Sequence, residues 1–303
     1  MKSALIIGST CVDVILNLHH LPTTEEDLHP DSQSMAIGGC AYNVSNMMRL
    51  LKAPHTFITP IGGGIYGDYV HKHFTQQQIP INIYIPEKEN GCCYCLVEAT
   101  GERTFLSCHG VEYTFQEEWM EHFPASEHHL TYVCGLEIEE PTGENLLSYL
   151  EKHPELEIFY APGPRGPLVP KDRMERILAL HPILHINELE SLQLSGQTNM
   201  VDAARTLQEI TGNTVIITLG SRGAYCLEMR KTGYIVPSVK SSQKVDTIGA
   251  GDAHIGTIMA CLTNGMELRD AIAYANKVCA AVIATHGSTL TPEQLPPLTK
   301  IES

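Results

Sequence analysis

Basic residues are scarce in this chain: 20 Lys and Arg stand against 35 Asp and Glu, a net charge of −15 at pH 7. A negative field of that size repels phosphate backbones and anionic lipid headgroups, which excludes nucleic acid and a membrane surface as partners. No apolar run approaches the ~20 residues of a membrane-spanning helix. The opening apolar run, residues 4–7, is too short for a signal peptide and reads as a first strand. The phosphate-binding sequence G-x-x-x-x-G-K-[ST] is missing, so any nucleotide phosphate must be held another way. H-E-x-x-H is missing too, and the 15 histidines are scattered. There is no internal repeat and no low-complexity tract. What survives these exclusions is a cytoplasmic enzyme acting on a small molecule.

Cysteine is not scarce: there are ten. Without an export signal they are expected to be reduced thiols. Cys92 and Cys95 form a C-x-x-C, and Cys108-His109 follows. Residues 92–97 read as a strand, where side chains three apart leave opposite faces. No second C-x-x-C exists. The protein as isolated is therefore expected to carry no stoichiometric zinc, at Cys92, Cys95 and Cys108 or elsewhere.

With 303 residues, 43% of them hydrophobic, the chain can bury one large α/β core. From residue 132 onward, apolar runs at 132–134, 157–160, 183–186 and 215–219 alternate with helical stretches such as 202–210. Helices follow at 253–262 and 268–285. That alternation implies a three-layer α/β fold, a mainly parallel central sheet between helices. The segments at 79–85, 92–98 and 103–108 have no helix between them and read as antiparallel strands. With the strands at 12–18 and 32–37 they imply a small β appendage, built from about 12–37 and 79–108 within a single domain spanning 1–303. A lone small sheet would leave Val12, Val14, Leu16, Ile81 and Ile83 in water, so a homodimer through this appendage is expected.

The most informative stretch is Val245-Asp246-Thr247-Ile248-Gly249-Ala250-Gly251-Asp252-Ala253. A turn of small residues runs into an apolar helix, whose first-turn N–H groups and partial positive charge make an anion site. Asp252 at that end is either a helix cap or a base aimed at whatever the anion site holds. Asn187-Glu188-Leu189-Glu190 follows the apolar strand at 183–186. Ligands of parallel sheets sit at the carboxyl ends of strands, and Asn and Glu there suit the waters of Mg2+. The plainer alternative is an acid-rich helix start. Thr218-Leu219-Gly220 ends another strand in a glycine turn, and Asp13 is an acid inside an apolar alternating stretch. Such an acid needs a partner or a polar ligand. Gly38-Gly39, with Asn43 one helical turn on, permits close approach of a ligand. Finally, Gly62-Gly63-Gly64-Ile65-Tyr66-Gly67 is a literal G-x-G-x-x-G with Glu87 some way on, the formal case for a dinucleotide-dependent oxidoreductase.

Taken together, Gly8 with Asp13, Gly38-Gly39 with Asn43, Asn187 with Glu190, Thr218 with Gly220, and the D-T-x-G-A-G-D segment from Asp246 to Asp252 resemble the ribokinase-like sugar kinase family. The resemblance covers nearly the whole chain, and it implies that the β appendage at 12–37 and 79–108 is a lid over the sugar site. It implies ATP-dependent phosphoryl transfer to a hydroxyl of a small sugar, with a nucleoside kinase as the alternative within the family. It further implies that Asp252 is the base and that Gly249, Ala250 and Gly251 form the anion hole. Asp13, Gly38, Gly39 and Asn43 would bind the acceptor, and Glu137 would reach toward it. Asn187 and Glu190 would organise Mg2+, and Thr218, Gly220 and Asn276 would line the nucleotide site. Some members hold K+ beside the anion hole, which here would use Asp246, Ile248 and the loop at 284–288. Relatives acting on phosphorylated sugars often carry a lysine just after the double glycine. This chain has Cys40-Ala41 there, so an uncharged acceptor is expected. Arg103, in the lid, is the candidate cation for an acidic one.

Overall fold

The computed structural model describes residues 3–239, 249–285 and 289–298. The first apolar run forms β1 (Ser3–Ile7), followed by β2 (Cys11–Leu18) and β3 (Ser32–Gly38). Helix α1 (Cys40–Leu50) leads to β4 (His55–Ile58), β5 (Pro60–Gly63), α2 (Gly64–Gln77) and β6 (Ile83–Glu89). The hairpin β7 (Cys92–Glu98) and β8 (Arg103–Cys108) comes next, then α3 (Glu117–Glu121), β9 (His128–Cys134), α4 (Gly135–Glu139) and α5 (Gly143–Lys152). Strand and helix then alternate through β10 (Glu157–Ala161), α6 (Lys171–Ala179), β11 (Ile183–Asn187), α7 (Glu188–Ser195), α8 (Met200–Thr211) and β12 (Val215–Thr218). The antiparallel β13 (Ala224–Leu227) and β14 (Tyr234–Val236) precede α9 (Ala250–Thr263) and α10 (Leu268–Val282).

The central sheet has eight strands in the order β14-β13-β12-β11-β10-β9-β1-β4. From β4 to β12 every pairing is parallel; β13 runs against the rest, and β14, antiparallel to β13, resumes their direction. Parallel strands covered on both faces need apolar residues at every position. Accordingly Ala4 and Ile6 enter one core with Tyr132, Ile216 and the inward side of α9, while Leu5 and Ile7 enter the other with Val133, Leu184 and Ile217. The chain leaves β1 toward β4 on one side and later returns to β9 on its other side. The carboxyl ends of β1 and β9 are therefore the topological switch point, where open α/β sheets place their ligands.

The lid is a separate four-stranded sheet, β3-β2-β7-β8. It differs from expectation in two ways. Strands β2 and β7 are parallel, flanked by antiparallel partners. Residues 79–89 are not in it: β6 pairs in parallel with β5 as a two-stranded sheet. The apolar run at 56–61 does not form one strand: it breaks at Thr59, whose hydroxyl donates to Thr10 at 2.9 Å, and this break sends β5 away from the main sheet.

The same turn removes the dinucleotide reading. A Cβ at Gly62 would meet the Lys88 carbonyl at 2.5 Å, one at Gly63 the Pro86 carbonyl at 2.3 Å, and one at Gly67 the Gly62 carbonyl at 2.2 Å. These glycines let α2 and β6 pack on β5. The space a pyrophosphate would need is filled by the chain's own backbone, and the turn lies outside the main sheet.

Candidate active site

A cavity of about 800 Å3 opens at the carboxyl ends of β9 to β12, with the lid sheet as one wall. Its floor is the start of α9. Gly249 caps that helix with φ 69°, a left-handed conformation that suits glycine. The N–H groups of residues 250–252 have no intrahelical acceptor. Gly249 and Gly251 line the cavity, and among the described residues a Cβ at Gly251 would meet nothing within 4 Å. That is the form of an anion site with open space in front of it.

Asp252 is in the first turn of α9 and does not cap it. Its Oδ2 instead accepts a hydrogen bond from Asn43 Nδ2 at 2.8 Å. Asn43 is one turn into α1, and the two helices approach closely because Gly256 has no side chain: a Cβ there would sit 2.9 Å from Met47 Cβ and 3.0 Å from the Val44 carbonyl. Burial pushes the Asp252 carboxyl up to about 6, opposed by the Asn43 amide and the Cys40 thiol and reinforced by the charges of Glu137 and Asp13. A carboxylate poised near neutrality at an anion site is suited to accept a proton from an alcohol.

On the lid wall, Asp13 of β2 faces the cavity. A Cβ at Gly38 would overlap its Oδ2 at 2.2 Å, so the carboxylate lies in the space left by that glycine. Burial raises the Asp13 carboxyl to about 6 as well, opposed by a hydrogen bond from Cys11. Gly39, φ 104°, starts α1, and a Cβ there would meet the Ser9 carbonyl at 2.6 Å. The double glycine thus lets the loop after β1, the lid and α1 converge at the switch point.

Across the cavity, Asn187 and Glu190 form a reciprocal capping box on α7: Asn187 Oδ1 accepts from Glu190 N at 2.8 Å, and Glu190 Oε2 accepts from Asn187 N at 3.0 Å. Both residues also line the cavity. Among the described residues the other Glu190 oxygen has no hydrogen-bond partner. This donor set, carboxylate and amide oxygen with one face free, fits a hard cation that keeps much of its water, as Mg2+ does. Thr218 lines the cavity beside them. Gly220 follows with φ 57° and open space around it, but is not part of the wall.

Three expected residues stand elsewhere. Glu137 is fully buried behind the wall, its Oε1 accepting from the Ser9 N–H and hydroxyl at 2.9 Å each. Burial raises its carboxyl, and Oε2 has no hydrogen-bond partner among the described residues. It therefore anchors the loop after β1 rather than facing the cavity. Asn276 is spent on structure: its amide donates to the carbonyls of Val236 and Pro237 at 3.0 and 3.1 Å, and its Oδ1 accepts from His254 Nε2 at 3.2 Å. That acceptor fixes the relay, so His254 Nδ1 accepts in turn from His185 Nε2 at 2.7 Å. Burial lowers both imidazoles, His254 to about 4, and keeps the pair neutral. Arg103 is not in the wall, although Phe105 and Ser107 of the same strand are. Asp246, Ile248 and residues 286–288 lie outside the described residues.

Sequence reading did not single out Arg165 and weighed Cys93 and His109 only as part of the cysteine cluster; all three line the cavity. Arg165 is held by Glu139 in a two-bond pair, Nε to Oε2 at 2.6 Å and Nη2 to Oε1 at 2.5 Å, and His109 is paired with Glu140. Their signal was faint because Arg165 and His109 lie in loops and Cys93 in β7, and what each of them meets depends on distant strands.

A family model described as pfkB family carbohydrate kinase matches residues 1–295. The uncharacterized sugar kinase YegV of Escherichia coli K12 is 30% identical over 96% of this chain and 91% of its own. A ribokinase of Staphylococcus aureus is 27% identical over 95% of each. Among solved structures, ribokinase from Thermotoga maritima superposes with a TM-score of 0.84 at 20% identity, covering 98% of this chain and 96% of that one.

Proposed function

The chain belongs to the pfkB family of carbohydrate kinases, and on that premise we propose that it transfers the terminal phosphoryl group of ATP to a hydroxyl of a neutral sugar, with Asp252 as the base. The observation that carries the assignment is the shared cavity: Asp252, at the anion-binding end of α9, faces the same space as Asp13 on the lid. Asp13 and Asn43 hold the acceptor's hydroxyls, Asp252 takes the proton of the attacking one, and the N–H groups of residues 250–252 stabilise charge on the transferring oxygens. Asn43 orients Asp252 by the bond already described. Asn187 and Glu190 would hold Mg2+, which when bound neutralises phosphate charge. Thr218 and the turn at Gly220 border the nucleotide. No described helix is long and apolar enough to cross a membrane, and we place the enzyme in the cytoplasm. A coupled ADP-release assay over sugars, sugar phosphates and nucleosides tests the whole reading. Nicotinamide-dependent turnover without ADP release would sink it.

The acceptor should be uncharged. Acids dominate the wall, its guanidinium Arg165 is already paired with Glu139, and the His109 ring is hydrogen-bonded to Glu140. A phosphorylated sugar would bring unpaired charge under the lid. The best neutral acceptor should exceed its phosphorylated form in kcat/KM by at least about tenfold, some 1.4 kcal/mol. The reverse preference would mean that Arg165 leaves Glu139 to meet the phosphate. One observation favours a nucleoside among neutral acceptors: His109 stacks on Tyr113 at 4.0 Å between centroids, and with Phe105 offers a base an aromatic surface.

Glu190→Gln should raise the Mg2+ concentration needed for half-maximal rate severalfold. Gln preserves the capping box, so α7 keeps its start while the carboxylate charge is lost. An unchanged Mg2+ dependence would remove Glu190 from metal binding.

We also propose a homodimer through the lid, on altered grounds. Val12 and Val14 are covered by the chain's own core. What remains for a second copy is the β8 edge, where Phe105 and Leu106 are 51% and 56% exposed. Light scattering should report a dimer, and Leu106→Asp a monomer. A wild-type monomer at micromolar concentration would contradict this.

A further inference from the structure

Cross-strand register brings together a group that no linear motif contains. Asp13 is opposite Cys93, and Cys93 opposite Ser107, so all three side chains share the cavity face of the lid. Cys95, two residues on, shares that face. The result is a carboxylate and two thiols whose ligand atoms all lie within 4.8 Å of one another. Cys92, the other half of the C-x-x-C, is in the core on the opposite face, and Cys108 is exposed.

We propose that Asp13, Cys93 and Cys95 form a reversible site for a thiophilic divalent cation, Zn2+, and that its occupancy blocks the acceptor. Two sulfur ligands and one oxygen suit zinc, which is commonly four-coordinate with three protein ligands and one open position. Here the open position faces the cavity, because Asp13 and Cys93 are part of its wall. The group is preassembled. Gly38 leaves the space that holds the Asp13 carboxylate, and the Cys11 thiol, 3.8 Å from Asp13 Oδ1, supports it from the neighbouring turn of the strand. The two thiols lie 4.0 Å apart and have only weak partners, the Cys93 carbonyl at 3.7 Å and the Ser107 hydroxyl at 3.6 Å. Binding would release the thiol protons and leave two thiolates and a carboxylate around the cation. The sequence argued against tightly bound zinc because Cys92 and Cys95 leave opposite faces of a strand; register supplies Cys93 and Asp13 in place of Cys92, and a reversible site is compatible with a protein isolated without zinc.

The inhibitory part rests on the reading of Asp13 as an acceptor ligand; the metal site itself does not. The test uses the full-length reduced protein with Co2+ as an optical probe, then Zn2+ in competition. One Co2+ per chain should give thiolate-to-metal charge transfer and the visible bands of a tetrahedral site, and Zn2+ should abolish both. Cys95→Ala, a position outside the cavity wall, should lose the signal and keep wild-type turnover in metal-free buffer with Mg2+. Absence of charge transfer in the wild type, or its persistence in Cys95→Ala, overturns the site. In turnover assays with excess Mg2+, Zn2+ should raise the acceptor KM at least about tenfold, leave kcat and the ATP KM unchanged, and have no effect on Cys95→Ala. Thiolate binding without competition against the acceptor would uphold the metal site and overturn Asp13 as the acceptor ligand.

Discussion

Asp252→Asn should lower kcat by about 10²- to 10⁴-fold, the usual contribution of a positioned base, while the KM for ATP stays within a few-fold of wild type. The variant is close to isosteric and can still accept from Asn43, so the start of α9 keeps its geometry. Only proton acceptance is lost. The pH profile adds an independent check. With its carboxyl near 6, wild-type kcat at saturating acceptor should fall as pH drops through that value, and the residual kcat of Asp252→Asn should lack that limb, while kcat/KM keeps an acid limb in both because the Asp13 carboxyl is also near 6. The groups facing Asp252 are Glu137, Asp13, Asn43 and Cys40, and none of them is altered in the variant. Stability should move the other way. The folded chain holds the Asp252 proton with a pKa of about 6 against an ordinary 3.8. Its stabilising contribution is therefore complete below 3.8 and lost as pH rises through 6. Asn never ionises. Asp252→Asn should thus melt higher than wild type at pH 8 and lose the advantage toward pH 4. A variant that is more stable yet inactive separates chemistry from misfolding, whereas near-normal turnover would remove Asp252 from the mechanism.

How far this could be read from the chain depended on the range of the signal. The Gly249-Ala250-Gly251-Asp252 turn is local: small residues before an apolar helix dictate an anion site wherever the rest of the molecule lies. The parallel sheet was legible for the same reason, since apolar runs and helices alternate along the chain. Asn187 with Glu190 showed the limit of a local motif, because the spacing that suggested a cation site is also the spacing of a capping box, and the structure contains the box. Long-range register was not legible. Whether residue 83 joins the lid or pairs with β5 depends on a break at Thr59 and its bond to Thr10. Cys93 meets Asp13 only because β7 lies parallel to β2. Glu137 and Asn276 are polar residues whose buried partners come from elsewhere in the chain, Ser9 for one and the backbone after β14 for the other. The identity of such a residue shows that a partner must exist, not which one.

Asp13→Ala should raise the acceptor KM by about 10²-fold, because two charge-assisted hydrogen bonds to hydroxyls are worth about 1.5–3 kcal/mol each and some of that returns as hydration. The ATP KM should change little, since Asp13 is on the lid wall and the nucleotide-side residues are across the cavity. Gly38 provides a second way to make the same measurement. A methyl at that position would fall 2.2 Å from Asp13 Oδ2 and 2.6 Å from its carboxyl carbon, nearer than any real contact. Asp13 cannot hold its place beside alanine, so Gly38→Ala should also raise the acceptor KM with the ATP KM spared. The two substitutions remove one interaction by different routes and should be strongly non-additive. In an Asp13→Ala background the further change Gly38→Ala should cost little, since the carboxylate it would displace is gone. Independent, additive losses would show that Gly38 serves the acceptor directly or shapes β3. They would sink the argument that this glycine exists to seat the aspartate.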